Sequence, residues 1–427
     1  MVRFVLSWAL VGALPGVFAE PPSTVAKKEP APPPKLTFNF EFRMRYEARE
    51  GVSFGRDPDQ GYPLFRTRLG AIWRPNSWIK VTALAQDARS PLYGSPAPGN
   101  LRDTLDLQEG YVELGHKLGT GGMVGRQMQD FGETRLIGSP QWLNTARTWD
   151  SLRIWHKTRA TTFQGIFLSV VKVRQDAENR PVLGDRIWGT YNTHRALIPK
   201  GEVEWYVLRH DQNRPGGFTG PGTRMGVNLF GTRVVTPLPL KTRLSIEAIG
   251  QTGKVGGRQH RAAAWYSSLS RRVDLGKPVD FSVEYKYASG TNDPQGGRSA
   301  TFDQLYPANH DKFGHADLFG WKNIRNLRSL ETINMSKTWR IMVMYDAVWL
   351  ASKRDALYNG PGRVIAWAPR GDAGRYVGQE IDAFTTYSRG HFRFGGGVAK
   401  LFAGEFLKNT TPGASTLFAY FFQGISF

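Results

Sequence analysis

The chain has 427 residues, and its 56 Lys and Arg outnumber 36 Asp and Glu, leaving a formal charge of +20. Hydrophobic residues at 40% and aromatics at 12% exclude a disordered chain, and the lack of cysteine excludes disulfides, thiolate metal sites and a cysteine nucleophile. A mean hydropathy of -0.39, with no long apolar run in the body, excludes a bundle of membrane-spanning helices.

Residues 1–19 read as a secretory signal peptide. Met1, Val2 and Arg3 make a short basic start, Phe4 to Leu14 are apolar, and Val17 and Ala19 put small residues at the cleavage positions. Residues 20–35 follow as a periplasmic tail. Pro21, Pro22, Pro30, Pro32, Pro33 and Pro34 keep it extended and unable to pack a core. Residues 36–427 show no second composition shift and no long helical periodicity, so they read as one unit.

That unit opens on a clear strand. Leu36, Phe38, Phe40, Phe42, Met44 and Tyr46 alternate with Thr37, Asn39, Glu41, Arg43, Arg45 and Glu47. Only a period of two separates these residues onto two faces. The stretch 279–287 repeats the pattern, with Phe281, Val283 and Tyr285 on one face and Glu284 and Lys286 on the other. Weaker alternation recurs near 65–74, 78–88, 105–114, 199–210, 223–233, 241–251, 338–349, 376–390, 391–401 and 416–427. With less regular stretches the count reaches about eighteen strands of membrane-spanning length. A sandwich core would not tolerate charges in mid-strand, whereas a wet lumen does. The expected fold class is therefore all-β, a transmembrane antiparallel barrel with Arg43, Arg45 and Lys286 turned inward. Residues 416–427 form an alternating strand that ends on Phe427, as bacterial outer-membrane barrels do, so the expected location is the outer membrane, in contact with its lipid.

The basic excess falls in clusters. Arg43 and Arg45 share a face, as do Arg66 and Arg68, and Arg126, Arg135, Arg147 and Arg153 follow within one segment. A guanidinium stays charged, is weakly hydrated and matches carboxylate oxygens two at a time, so such a lumen attracts polyanions. Interleaved acids such as Glu41, Glu47, Asp130, Glu133 and Asp150 would hold the arginines in place.

Residues 125–138 (GRQMQDFGETRLIG) and 142–153 (WLNTARTWDSLR) resemble the signature of alginate-export outer-membrane proteins. So, in order, do segments 42–47, 87–89, 107–114, 288–294, 301–310, 314–324, 378–382 and 402–406. The resemblance covers residues 36–427. It implies a monomeric barrel of about eighteen strands with an electropositive pore for a secreted polyuronate. It assigns pore-lining roles to Arg126, Arg147 and Arg153 with Asp150 as acidic partner, and further to Arg45 and Arg68. An anionic exopolysaccharide is then the cargo, and periplasmic export components are the expected partners.

No nucleophile elbow, zinc helix or phosphate loop is present, so no enzyme activity and no cofactor are expected. His310 and His315 lie near Asp303, Asp311 and Asp317, but at no metal-ligand spacing. Secretion and the lipid-side placement of the aromatics argue against nucleic-acid binding despite the basic charge. The expected function is passive conduction of alginate or a similar polyuronate through an arginine-lined pore. The alternatives are a general anion-selective porin for small solutes and, less favoured, an outer-membrane enzyme or adhesin built on long loops around 290–323.

Overall fold

A computed structural model describes residues 35–94, 97–213 and 224–427. The expected signal peptide and residues 20–34 of the proline-rich tail lie outside them.

Alternating sequence becomes alternating exposure. Leu36, Phe38 and Tyr46 are exposed, whereas Thr37, Arg45 and Glu47 are buried. Val283 and Tyr285 are exposed and Lys286 is buried. Among the described residues eighteen long strands carry this pattern around a closed antiparallel barrel. They are β1 (Leu36–Glu50), β2 (Gln60–Trp73), β3 (Ile79–Arg89), β4 (Asp103–Gly115), β5 (Gly119–Gln127), β6 (Trp149–Lys157), β7 (Thr161–Lys172), β8 (Arg180–His194) and β9 (Glu202–Gln212). The circuit continues with β10 (Met225–Leu238), β11 (Thr242–Val255), β12 (Arg258–Asp274), β13 (Pro278–Ala288), β14 (Ile324–Asn334), β15 (Trp339–Leu350), β16 (Tyr376–Arg389), β17 (Phe392–Ala403) and β18 (Thr416–Ser426).

Each strand pairs with its neighbours in sequence, and β1 closes on β18 with Tyr46 opposite Phe421. Closure removes the free edges that would leave backbone groups unpaired in lipid. Glycine lets the wall pass close to itself. Gly125 in β5 has a φ of 127°, and a Cβ there would strike the Gly110 carbonyl of β4.

The two ends differ. The connections at the end shared with Leu36 and Ser426 are short turns, while the connections at the far end include residues 128–148, 289–323 and 351–375. Short turns mark the periplasmic end of such barrels and long loops the outer end. Trp73, Trp78, Trp339, Tyr387, Phe392 and Phe427 are exposed around the short-turn end, where an aromatic girdle meets the lipid boundary. A barrel of this kind is an outer-membrane protein.

Candidate functional site

The lumen is not simply lined; it is narrowed by its own loops. Residues 128–148 and 289–323 fold into the barrel and pair with each other. Gly138 N donates to Tyr306 O at 3.0 Å, Tyr306 N to Leu136 O at 2.8 Å and Ala308 N to Thr134 O at 3.0 Å. Phe131, Leu136, Ile137, Phe302, Phe319 and Trp321 are buried there in one cluster with Trp149, Tyr191 and Tyr206 of the wall. This apolar core inside a charged wall is the feature that strand periodicity did not predict.

On the β1–β2 side the wall meets the inward loop through arginines. Residues facing the lumen from adjacent strands fall side by side, so Arg43 lies opposite Arg66 and Glu41 opposite Arg68. Arg43 donates to the carbonyls of Gln141 (2.9 Å), Trp142 (3.1 Å) and Leu143 (3.0 Å). Arg66 donates to the carbonyls of Gln141 and Leu143, both at 3.0 Å. Arg45 donates to the Trp142 carbonyl and stacks on the Trp142 ring at 3.9 Å. Arg68 donates to the Gln141 side chain at 2.7 Å. Four guanidinium groups thus converge on residues 141–143. Like charges tolerate this proximity because Glu41 pairs with Arg66 at 2.6 Å and Glu47 with Arg45 at 2.7 Å, and because each fork meets aligned acceptors.

The other expected residues lie further round. Arg126 on β5 forms a two-pronged pair with Asp150 on β6, at 2.8 and 3.1 Å, and also donates to the Asn179 carbonyl at 3.0 Å. Arg153 on β6 donates to Gln129 at 2.8 Å and Gln164 at 2.7 Å. Arg147 lies in the inward loop and donates to the carbonyls of Gly138 (2.9 Å), Tyr306 (2.8 Å) and Pro307 (3.0 Å), so it staples the two loops together. Burial pushes its guanidinium down to about 10, against the pull of Tyr306 and Asp130, which leaves it charged at neutral pH. The structure therefore joins Arg45 and Arg68 in one cluster with Arg43 and Arg66, joins Arg126 with Asp150, and places Arg147 and Arg153 separately.

Sequence reasoning did not single out Arg43 and Arg66 as site residues, although their shared face signalled them. It also missed the groups that hold the second loop. His210 on β9 lies 2.7 Å from Asp303 and 3.2 Å from Asp185, and Tyr306 donates to Asp185. Asp382 and Glu380 on β16 accept the backbone N–H groups of His315 (3.1 Å) and Ala316 (2.9 Å). Arg328 on β14 pairs with Asp346 at 3.0 Å and donates to the Asp311 carbonyl. No sequence pattern signals these contacts beyond a lumenal position in a strand. His310 stacks on Trp142 at 4.0 Å and pairs with Asp317 at 2.7 Å, while His315 meets the Tyr420 hydroxyl at 2.8 Å. Among the described residues no group of three or more His, Cys, Asp or Glu is placed to hold a metal.

A closed barrel with a polar, charged wall around loop-narrowed space is an outer-membrane channel of the porin type. The family model for alginate export matches residues 35–421, and the chain belongs to that family. Its fold is similar to that of the outer membrane protein opdK from Pseudomonas aeruginosa, with a TM-score of 0.64 at 10% identity, covering 92% of this chain and 98% of that one. It is similar also to Pseudomonas aeruginosa OpdL, with a TM-score of 0.64 at 12% identity and the same 92% and 98% coverage. Pseudomonas aeruginosa OccD3 (OpdP) gives 0.63 at 10% identity, covering 92% and 91%. No curated protein matches the chain.

Proposed function

We propose that the protein is an anion-selective channel for carboxylate-bearing solutes. One observation carries this reading: Arg43, Arg45, Arg66 and Arg68 converge inside the barrel on a three-residue stretch of an inward loop. They supply a positive field where the loop narrows the path. Guanidinium bonds to carboxylates are stronger than bonds to neutral carbonyls. An arriving carboxylate competes with the carbonyls of Gln141, Trp142 and Leu143 for the same forks, and several moderate sites let the solute pass on. Arg126 with Asp150 and Arg153 extend the basic lining, and Arg147 positions the loop.

A second reading, export of a polyuronate chain, draws support from the alginate-export family match over residues 35–421. A polymer needs more room than a small solute, so residues 128–148 would have to yield as the carboxylates of the chain displace the loop carbonyls one after another.

Planar-bilayer recording tests both readings. The wild-type channel is expected to prefer anions. The double variant Arg43→Gln/Arg66→Gln is expected to lose most of that preference and to conduct more, because the loop loses five carbonyl bonds. An unchanged selectivity ratio would overturn the arginine reading. Current block that lengthens with the chain length of added oligogalacturonate supports the polymer; block independent of length restricts the channel to small acids.

A further inference from the structure

On the outside of the wall, strands β8 to β12 carry cations at their outer ends. Outward and lumenal residues alternate along each strand. Trp188 of β8, Phe230 of β10 and Trp265 of β12 face outward and are 47%, 50% and 39% exposed. On the same outward faces, nearer the long-loop end, stand Arg186 of β8 and Arg261 of β12. Lys254 stands there on β11, and Arg298 of the loop 289–323 pairs beside Gln259 of β12 and faces the same way. All four cations are exposed.

The register sets most of them in one row. Arg186 lies opposite Asp211, Asp211 opposite Gly226, Gly226 opposite Lys254, Lys254 opposite Gln259 and Gln259 opposite Arg298. Arg261 follows in the next row, opposite Thr252. Asp211 is the acid of the row, and both its oxygens are committed, one to Arg209 Nε at 2.8 Å and the other to Trp188 Nε1 at 3.0 Å. Among the described residues Arg186, Lys254, Arg261 and Arg298 form no ion pair and no side-chain hydrogen bond. At the same end of the barrel Arg89 and Arg102 differ, since Asp87 pairs with one at 2.7 Å and Asp176 with the other at 3.0 Å.

A cation turned toward hydrocarbon is costly, and the cost falls away at headgroup level. Unpaired outward cations above an aromatic band therefore mark the headgroups of the outer leaflet. We propose that the outward face of β8–β12 binds the phosphorylated disaccharide glycolipid of that leaflet, lipid A, with its phosphates on this row. A guanidinium fork matches phosphate oxygens two at a time, and lysine adds a point charge. Arg186 and Lys254 stand three strand spacings apart, about 14 Å, which suits two phosphates on one headgroup and is beyond the reach of one. Below Lys254 the outward face of β11 falls to Gly250 and Ala248, and nothing lies within 4 Å of where a Gly250 side chain would begin. Phe230 stands beside Gly250 and Trp265 beside Ala248. The furrow between them leads from the cations toward the midplane and accepts an acyl chain, which a free phosphate lacks. The site lies outside the wall and does not depend on what the channel conducts.

Binding of bisphosphorylated lipid A to the full-length barrel, washed free of lipid in detergent, tests the proposal. Lipid A is expected to bind saturably. Phosphatidylglycerol and dephosphorylated lipid A are expected to bind at least about tenfold more weakly, and equimolar pyrophosphate is expected not to displace lipid A. Arg186→Gln/Lys254→Gln and Arg261→Gln/Arg298→Gln are each expected to weaken lipid A binding by about tenfold or more. Arg89→Gln/Arg102→Gln removes the same charge from cations already paired and is expected to bind as the wild type does. Heat-modifiable gel mobility shows that the variants fold. Absence of saturable binding, wild-type affinity in both folded row variants, or an equal loss in the Arg89/Arg102 variant overturns the proposal. Equal binding of phosphatidylglycerol overturns it as a glycolipid site, and displacement by pyrophosphate overturns it as a lipid site.

Discussion

Arginine and lysine would not be interchangeable at the loop contacts. Arg43 reaches three successive carbonyls with two nitrogens of its fork, which a point-like ammonium cannot do with the same geometry, while Arg147 brings one nitrogen, Nη1, to three carbonyls from two loops at the reach of the longer arginine side chain. Removing Arg147 takes a donor from all three acceptors, and only Tyr306 O keeps the Gly138 N–H beside it. Arg147→Ala is expected to lower the free energy of local loop opening by about 1–3 kcal/mol while the barrel stays folded. Hydrogen exchange of residues 134–138 and 304–308 measures it, and Arg147→Lys is expected to restore only part of the protection. Protection equal to wild type in the alanine variant would remove Arg147 as the staple.

At the scale of the strand, the outer face is set by lipid and the inner face by whatever fills the lumen. Val283 of β13 is exposed on the lipid side, so Val283→Arg is expected to destabilise the barrel by about 2–4 kcal/mol in urea unfolding from detergent or bilayers. A loss well under that range would mean that the β13 register is different. The inner face explains which strands were readable. In β1 it carries Glu41, Arg43, Arg45 and Glu47, so the alternation is sharp. In β7 it carries Ile166, Leu168 and Val170, all buried against the loop cluster, while Phe163 and Phe167 face out. Both faces of β7 are apolar, and the period of two fades. In β5 glycines replace the side chains that would mark a face, and Gly119 to Gly122 run within that strand. Gly121 also lets the strands approach closely, since a Cβ there would crowd the Leu114 carbonyl and the Trp155 ring.

For the whole molecule, the central question is how two loops stay inside a barrel. Residues 289–323 are fastened to β9, β14 and β16 through Asp303, Asp311, His315 and Ala316. Burial alone would raise the Asp303 carboxyl, but the adjacent His210 outweighs it and holds that carboxyl below the usual carboxylate range. A carboxyl held low in the folded protein stabilises at pH above its unfolded value of ~4 and loses that contribution as pH falls through the lower folded value. Single channels are therefore expected to be steady near neutral pH and to fluctuate between conductance levels once the pH is taken below the ordinary carboxylate range, as the loop loosens. Asp303→Asn is expected to fluctuate already at neutral pH. Steady current in both conditions would show that this fastening does not hold the loop.

The linear order of residues by itself determined the wall. The period of two, the aromatic outer face and the inward charges specify a barrel of about eighteen strands, because lipid on one side and polar surroundings on the other impose opposite chemistries on successive residues. It also marked the arginines, since a charge within a spanning strand has one face available to it. Only the tertiary structure decided what those arginines hold. Arg43 and Gln141 are 98 positions apart, and Arg147 and Tyr306 are 159 apart. The loops between strands have no periodicity from which their path could be read. Whether they lie over the mouth or descend into the lumen depends on how their carbonyls, N–H groups and apolar side chains match the inner wall, and that match exists only once the ring of strands has closed.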